Sequence, residues 1–455
     1  MPADTEKNQT TSKNAFLIPL LIIFVFACFR GYLLTQQPGT YLDDEIGHFI
    51  ISRDAWKHFE FIFSFWGRPG CTLFFMPGAL FSLEAARVTA LLSVSLTSYL
   101  LVLISKELGL KRLWLAPLLF ETQPWILNYS SYALTQPPAL LALTAGMYFY
   151  LRKNYLTSSL ILGWLPLIRH ETIVLNAFFG FVLLLQKRFG AMISMAVPGA
   201  IICLLCYFLY DVNFLSPFFT PEGTDIYGKG TWLTYIMHLL KIENAHIAAT
   251  VLSLLAFPLM LKNRLRLVVY LPFIILLLTH TIIYKFGLYS SGGFGIFLLP
   301  IAPIMAFAAA TLVEAIKEKI PPFASIASNV LVVLICLYPV TQIKMQRPLN
   351  GESKMMKEVT EWVRENRTGN ERIISTNTWT YYWLPYTTPH EDGAWFKALW
   401  SKNFQSVAKK GDLLIWDAHY SERWGNNLEA LNASPDWERI YELEKTKFAV
   451  VFRRK

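Results

Sequence analysis

From Ala15 onward the chain alternates long apolar runs with short segments of charged or turn-forming residues. Most runs approach the ~20 residues that a helix rising about 1.5 Å per residue needs to cross about 30 Å of hydrocarbon. Inside lipid, such helices satisfy their own backbone polar groups. Runs at 15–34, 86–105, 113–130, 134–151, 191–210, 246–261, 267–285, 294–314 and 323–341 are predicted spans. The stretch 158–186 is too long for one straight helix and carries Arg169, His170 and Glu171 at its middle, so it reads as two half-spans turning near that triplet. Together these predict an α-helical polytopic membrane protein of about eleven crossings.

Charge in the connecting segments orients the crossings. Lys106, Lys111, Arg112, Arg152, Lys153, Lys187, Arg188, Lys262, Arg264, Arg266, Lys317 and Lys319 fall in alternate short loops, which are therefore expected to face the cytoplasm. The opposite loops, around Asn128 to Thr135 and Ser290 to Phe294, carry no Lys or Arg. A cytoplasmic N-terminus then puts segment 35–84 and everything beyond about residue 343 outside. The first is aromatic as well as polar and is expected to lie on the membrane surface as short amphipathic helices. A second outer loop, Asp211 to Ala245, holds Pro217, Pro221, Gly223, Gly228 and Gly230 and reads as a flexible flap.

From Gln346 the pattern becomes water-compatible. Met355, Met356, Val359, Trp362 and Val363 recur at helical spacing, while Arg372 to Thr376, Leu413 to Trp416 and Phe448 to Phe452 read as strands. The division is thus a transmembrane domain, 1–342, with its outer loop 35–84, and a small C-terminal extracytoplasmic α/β domain, 343–455.

Composition agrees: 54% of residues are hydrophobic and 16% charged, against roughly 25% charged in soluble proteins. The net charge of +9 is spread in short clusters between spans, so topology explains it and no nucleic-acid partner is expected. Cys28, Cys71, Cys203, Cys206 and Cys336 have neither metal-ligand nor disulfide spacing. The polar start lacks a convincing cleavage site, and the first apolar run is expected to be retained.

The run Asp43-Asp44-Glu45, directly after the first span, requires an explanation, because carboxylates beside a membrane are costly to desolvate. One reading is capping: Asp43 or Asp44 accepts backbone N–H groups at the start of a helix Glu45 to His58. Neither acid has the Glu or Gln three residues on that a capping box requires.

The other reading is a resemblance. A first span, Asp44-Glu45-Ile46-Gly47-His48-Phe49, the stretch Phe65-Trp66-Gly67-Arg68-Pro69, and Glu84-Ala85-Ala86-Arg87 opening the next span together resemble the GT-C superfamily. These are polytopic glycosyltransferases of the family 39 kind, including protein O-mannosyltransferases and aminoarabinose transferases. The likeness continues through Arg169-His170-Glu171 and through Ser290 to Pro303. Two departures stand out. Ile296-Phe297 replaces an Arg-Tyr pair, and Gln136-Pro137-Pro138 stands near where a second acidic residue is expected.

The resemblance implies inverting transfer of one sugar, mannose-like, from a polyprenyl-phosphate donor to a glycan, lipid or protein acceptor outside a bacterial cytoplasmic membrane. Asp44 would be the general base, with Glu45 and Asp43 holding its position or an ion. The leaving phosphate needs preorganised cations or donors, for which Arg30, Arg68, Arg169, His170 and Lys285 are candidates, with His48 and Glu171 beside them. Each has a structural alternative: Arg30 snorkelling, Arg169 with Glu171 as an ion pair, Arg87 with Glu84, His48 as an interfacial surface residue, and the aromatics at 379–386 as core or belt. No metal is expected to be required. A divalent cation on Asp43, Asp44 and Glu45 is conceivable, but consecutive residues rarely converge on one ion. The rival classes are a transporter or flippase of lipid-linked sugars, which would favour internal repeats that are absent here, and a non-catalytic or oligosaccharide-transferring relative.

Overall fold

The computed structural model describes residues 3–36, 39, 43–64, 66–210, 227–241, 243–289, 291–319, 321–369, 371–384, 408–444 and 448–455. Residues 211–226 of the expected flap, Phe65, Ser290 and positions 385–386 of the aromatic cluster lie outside these. The chain divides into two compact units: Met1–Gln36 with Phe59–Met345, and Gln37–His58 with Gln346–Lys455.

The first unit is helical. Among the described residues, five helices are long and apolar enough to cross a membrane: Ala15–Gln36, Leu83–Glu107, Phe189–Leu209, Arg264–Phe286 and Gly295–Lys317. Tyr155–Ile168, His170–Leu185 and Ile326–Gln342 are shorter apolar helices. The five full-length spans are fewer than the eleven or so expected, and proline accounts for part of the difference. The 113–130 run divides into Leu115–Glu121 and Pro124–Tyr129, the 134–151 run is shortened to Gln136–Leu151, and the 246–261 run divides into Ile247–Leu255 and Phe257–Leu261. Pro124, Pro137 and Pro258 each fall at a helix start, where the missing N–H costs nothing.

Burial separates the spans by role. In Gly295–Lys317 89% of the apolar window is buried, against 22% in Phe189–Leu209. The first is a central helix whose small residues Ala302, Ala306, Ala308, Ala309 and Ala310 allow close approach of its neighbours. The second turns Leu204, Tyr207 and Phe208 outward, as a lipid-facing helix does.

The expected half-span turn is present. Helices Leu165–Ile168 and Ile173–Leu185 are separated by Arg169 in extended backbone (φ −145°, ψ 112°) and a short 3-10 turn, His170–Thr172. Contacts also join the basic loops assigned to one membrane face. Arg152 pairs with Glu107, Lys111 with Glu318, and the backbone N–H groups of Lys111 and Arg112 donate to Glu314 at 2.8 and 3.0 Å.

The second unit is built on a four-stranded sheet of β1 (Ile373–Ser375), β2 (Leu413–Asp417), β3 (Trp437–Glu444) and β4 (Phe448–Arg454), ordered β1-β2-β4-β3. β1 runs parallel to β2, and the other pairings are antiparallel. The three strands read from sequence are β1, β2 and β4. β3 went unread because as an edge strand it alternates Glu and Arg with Ile, Tyr and Leu, and a bulge between Arg439 and Tyr441 interrupts its register. Helix Gly351–Asn366 starts at Asn350, whose side chain accepts the Ser353 N–H at 2.7 Å. It packs on the sheet through Met355, Met356, Val359 and Val363.

Among the described residues of 35–84, two helices are packed into protein rather than presenting one polar face to water. Helix Asp44–Asp54 is buried at every position after Asp44, and helix Pro69–Ala79 buries Pro69, Cys71, Phe75 and Met76. Helix Asp44–Asp54 belongs to the C-terminal unit instead, where Gly39 donates to Arg347 O at 2.7 Å and Phe49 meets Tyr382 edge-on. Local periodicity carries no information about such a distant partner.

Candidate active site

Two polar clusters carry nearly all of the expected site residues, one in each unit. In the C-terminal unit the acidic run opens helix Asp44–Asp54. Asp43 occupies the capping position, yet its side chain makes no cap hydrogen bond. Its carboxylate instead accepts the Trp379 indole N–H at 2.5 Å and the Tyr420 hydroxyl at 2.8 Å, which corrects the capping reading for this residue. Asp44 is exposed, whereas Glu45 is fully buried. His48 is also buried, at 6% exposure, so the reading of it as an interfacial surface residue is corrected: it lies on the inner face of a packed helix.

Residues from the far end of the chain complete this cluster, and apart from Trp379, expected as core or belt, the sequence does not single them out. Glu352 sits in the first turn of its helix, where the dipole favours negative charge, and accepts Asn377 Nδ2 at 3.1 Å. His419 Nδ1 lies 2.8 Å from Glu352 Oε2. Buried Asp417 holds the turn that presents His419, accepting the backbone N–H groups of His419 and Tyr420 at 3.0 and 2.7 Å. Burial, then the neighbouring Glu352, push the Asp43 carboxyl above its ordinary 3.8. Burial does the same for Asp417.

These shifts carry a sign. A carboxyl raised in the folded state favours folding below its unfolded value, and that contribution is lost as pH rises through the folded value. Corrected amide protection in helix Asp44–Asp54 and β2 is therefore expected to fall as pH rises above the ordinary carboxyl value of 3.8. Protection that rises instead would contradict the burial of both acids.

The membrane unit holds the cationic cluster. Arg169 donates to Thr135 Oγ1 at 2.9 Å and pairs with Glu171. Arg68 donates to the same hydroxyl at 3.1 Å. Arg68 precedes Pro69 at the start of its helix with φ +63°, a conformation that costs a residue bearing a side chain on the order of 1–3 kcal/mol. His280 Nε2 lies 3.8 Å from Glu171 and stacks on Phe297, above which Arg169 also sits at 5.3 Å. Phe297, one half of the Ile296-Phe297 departure, thus supports Arg169. His170 lies in the 3-10 turn between Arg169 and Glu171.

Two expected phosphate ligands are placed elsewhere. Arg30 is fully buried and paired with Glu121, with Ser95 Oγ 3.0 Å from its other terminal nitrogen, so it does not snorkel. Lys285 lies half-buried in the last turn of its helix and takes no part in the hydrogen bonds around Arg169.

Comparison with solved structures places this architecture. No family model matches the chain, and no curated protein sequence matches it either. A crystal structure of ArnT from Cupriavidus metallidurans bound to undecaprenyl phosphate superposes with a TM-score of 0.61 over 95% of this chain and 97% of that one, at 10% identity. The apo structure of the same protein gives 0.62 at 11% identity, with the same coverage. The chain has the ArnT fold. At this identity the likeness speaks for the arrangement of the backbone. In the ArnT fold of this chain, the extended break at Arg169 and the strained turn at Arg68 are the two backbone features that bring guanidinium groups to one hydroxyl.

Proposed function

We propose that the chain is an inverting glycosyltransferase that takes one sugar from a polyprenyl-phosphate carrier and passes it to an acceptor outside a bacterial cytoplasmic membrane. The convergence of Arg68 and Arg169 on Thr135 Oγ1 carries this reading. Two planar guanidiniums and a hydroxyl are the donor set that a phosphate monoester takes, and guanidinium suits an interface better than ammonium because it is less strongly hydrated. A fold shared with a protein crystallised on undecaprenyl phosphate supports it.

In this mechanism Arg68 and Arg169 hold the carrier phosphate and stabilise the charge it gains as the bond from the anomeric carbon to phosphate oxygen breaks. The acceptor hydroxyl attacks that carbon from the opposite face, so its configuration inverts. Asp44 takes the hydroxyl proton as the new bond forms. The products are the glycosylated acceptor and the polyprenyl phosphate. Glu45 and Asp43 position the helix start that carries Asp44. A mannose-like sugar is the donor the resemblance favours.

Arg68→Gln tests the phosphate assignment with little risk to the fold, since Arg68 is only half-buried. Loss of one charge-assisted hydrogen bond, about 1.5–3 kcal/mol, is expected to weaken undecaprenyl phosphate binding about tenfold to a hundredfold. Titration of the purified protein measures it. Unchanged affinity in both Arg68→Gln and Arg169→Lys would remove the phosphate from this cluster.

A further inference from the structure

The two half-spans that turn at Arg169 have their other ends at two basic loops. Helix Gln136–Leu151 passes into helix Tyr155–Gly163 through Arg152, Lys153 and Asn154, and helix Ile173–Leu185 passes into helix Phe189–Ser194 through Gln186, Lys187 and Arg188. The Gln186 side chain donates to the Tyr150 hydroxyl and so joins the two helix ends. An open cleft of about 530 Å³ is lined by both loops, with Lys153, Asn154, Tyr155, Lys187, Arg188 and Phe189 among its residues. The lining holds three cations and no Asp or Glu. Arg152, one position earlier, is paired with Glu107 and is not part of it. The Arg188 guanidinium carbon lies 5.0 Å from the centre of the Tyr155 ring, which fixes the group without neutralising its charge.

Both lysines hold the left-handed backbone conformation, Lys153 at φ +59° and Lys187 at φ +58°. Each stands just past a helix end, where the N–H groups of Lys153 and Asn154 donate to Tyr150 O and Phe149 O, and those of Lys187 and Arg188 to Leu184 O and Leu183 O. Glycine fills this helix stop without strain. The helix dipole and the excess of cations in cytoplasmic loops both favour basic residues here, yet a lysine anywhere in the last turn would satisfy both. Neither accounts for a lysine at the glycine-favouring position in both loops of one cleft.

The edge of the cleft is apolar. Leu156 and Phe189 line it and are exposed, as are Leu185 and Ile193 close by in sequence, and the span Phe189–Leu209 begins at the same place. Three cations beside exposed leucine and phenylalanine mark the level at which helices leave hydrocarbon for headgroups. We infer that this cleft binds the phosphate of an anionic phospholipid of the phosphatidylglycerol type, with Lys153, Lys187 and Arg188 on the phosphate oxygens and the acyl chains along Leu156, Leu185 and Phe189. Its volume falls within the roughly 300–1,000 Å³ of clefts that take small ligands. A water-soluble anion would match the charge but gain nothing from the apolar edge, which favours the lipid. A lipid held there ties together the two ends of the hairpin whose turn presents Arg169. Binding at this cleft does not depend on the sugar-transfer reading.

The test uses the full chain in a neutral detergent, titrated with dioleoyl phosphatidylglycerol, with bound lipid counted by native mass spectrometry and the melting temperature followed in parallel. The wild type should take up the lipid and melt higher, while dioleoyl phosphatidylcholine and inorganic phosphate at the same concentrations do neither. Lys187→Asn with Arg188→Gln should weaken phosphatidylglycerol binding about thirtyfold, the worth of two cations near a membrane surface. Asparagine tolerates the left-handed conformation, so the lipid-free melting temperature should stay near that of the wild type. Lys153→Asn, in the other loop, should weaken binding about fivefold and carries the test if the double variant fails to fold. Lys262→Gln removes an exposed cation from a different basic loop and should bind the lipid as the wild type does. Undiminished binding by the cleft variants, or an equal loss in Lys262→Gln, would show attraction to basic loops in general and overturn the site. Phosphatidylcholine bound as tightly, or full stabilisation by inorganic phosphate alone, would overturn the lipid assignment.

Discussion

Asp44→Asn is expected to lower sugar transfer by about a hundredfold to ten-thousandfold, the usual contribution of a positioned general base. Asparagine keeps the size of the side chain and loses its basicity. Because Asp44 is the one exposed residue at the start of an otherwise buried helix, the substitution should leave folding intact. Donor binding should change little, since the phosphate cluster is made by Arg68 and Arg169 with Thr135. The signature is therefore a fall in turnover at near-constant undecaprenyl phosphate affinity, measured by initial rates and by direct titration. Asp43→Asn is the comparison. Its side chain faces two donors, the Trp379 indole and the Tyr420 hydroxyl, so an amide must turn its own N–H toward one of them. That variant should lose stability as well as rate, while Asp44→Asn loses rate alone.

Arg30→Met should be the most destabilising single change in the membrane unit. Arg30 and Glu121 are both fully buried, on the first span and on the helix Leu115–Glu121. Removing the guanidinium leaves a buried carboxyl with no counter-charge, at a cost of about 3–5 kcal/mol. Arg30→Met with Glu121→Leu together should recover most of that loss, because replacing both members of a buried pair with apolar groups is close to neutral. Thermal unfolding in detergent of the wild type, the two singles and the double gives the coupling directly. If Arg30→Met melts with the wild type, the pair is not a structural element. If the stable double variant binds undecaprenyl phosphate weakly, Arg30 returns to the list of phosphate ligands.

What could be read from the sequence follows the range of the forces involved. Spanning helices, the broken segment at Arg169 and three of the four strands are local patterns, carried by apolar length or alternation within one element. Arg68 and Arg169 stood out because a cation beside or within an apolar run needs a reason. Glu121 should have stood out on the same ground: a single carboxylate in one run and a single guanidinium in another suggest a partner for each. Thr135 and His280 had no such signal, since a hydroxyl and an imidazole in an apolar run are ordinary. The partners of the acidic run were beyond reach for a different reason. Asp43 meets Trp379 and Tyr420 across 336 and 377 residues, and only the folded chain shows that helix Asp44–Asp54 joins the C-terminal sheet unit. The same distance hid the contact of buried Arg53 with the Tyr381 backbone, whose carbonyl oxygen accepts from Arg53 Nη1 at 3.4 Å across 328 residues.

Chemistry on a lipid-linked sugar can be read in a single assay. Purified protein reconstituted in liposomes is given polyprenyl-phosphate donors labelled in the sugar, together with a membrane extract as the source of acceptor. Free polyprenyl phosphate should appear in step with label on the acceptor, inverted at the anomeric carbon and lost in Asp44→Asn. Label that crosses the bilayer still joined to its carrier, with no polyprenyl phosphate released and no effect of Asp44→Asn, would contradict sugar transfer.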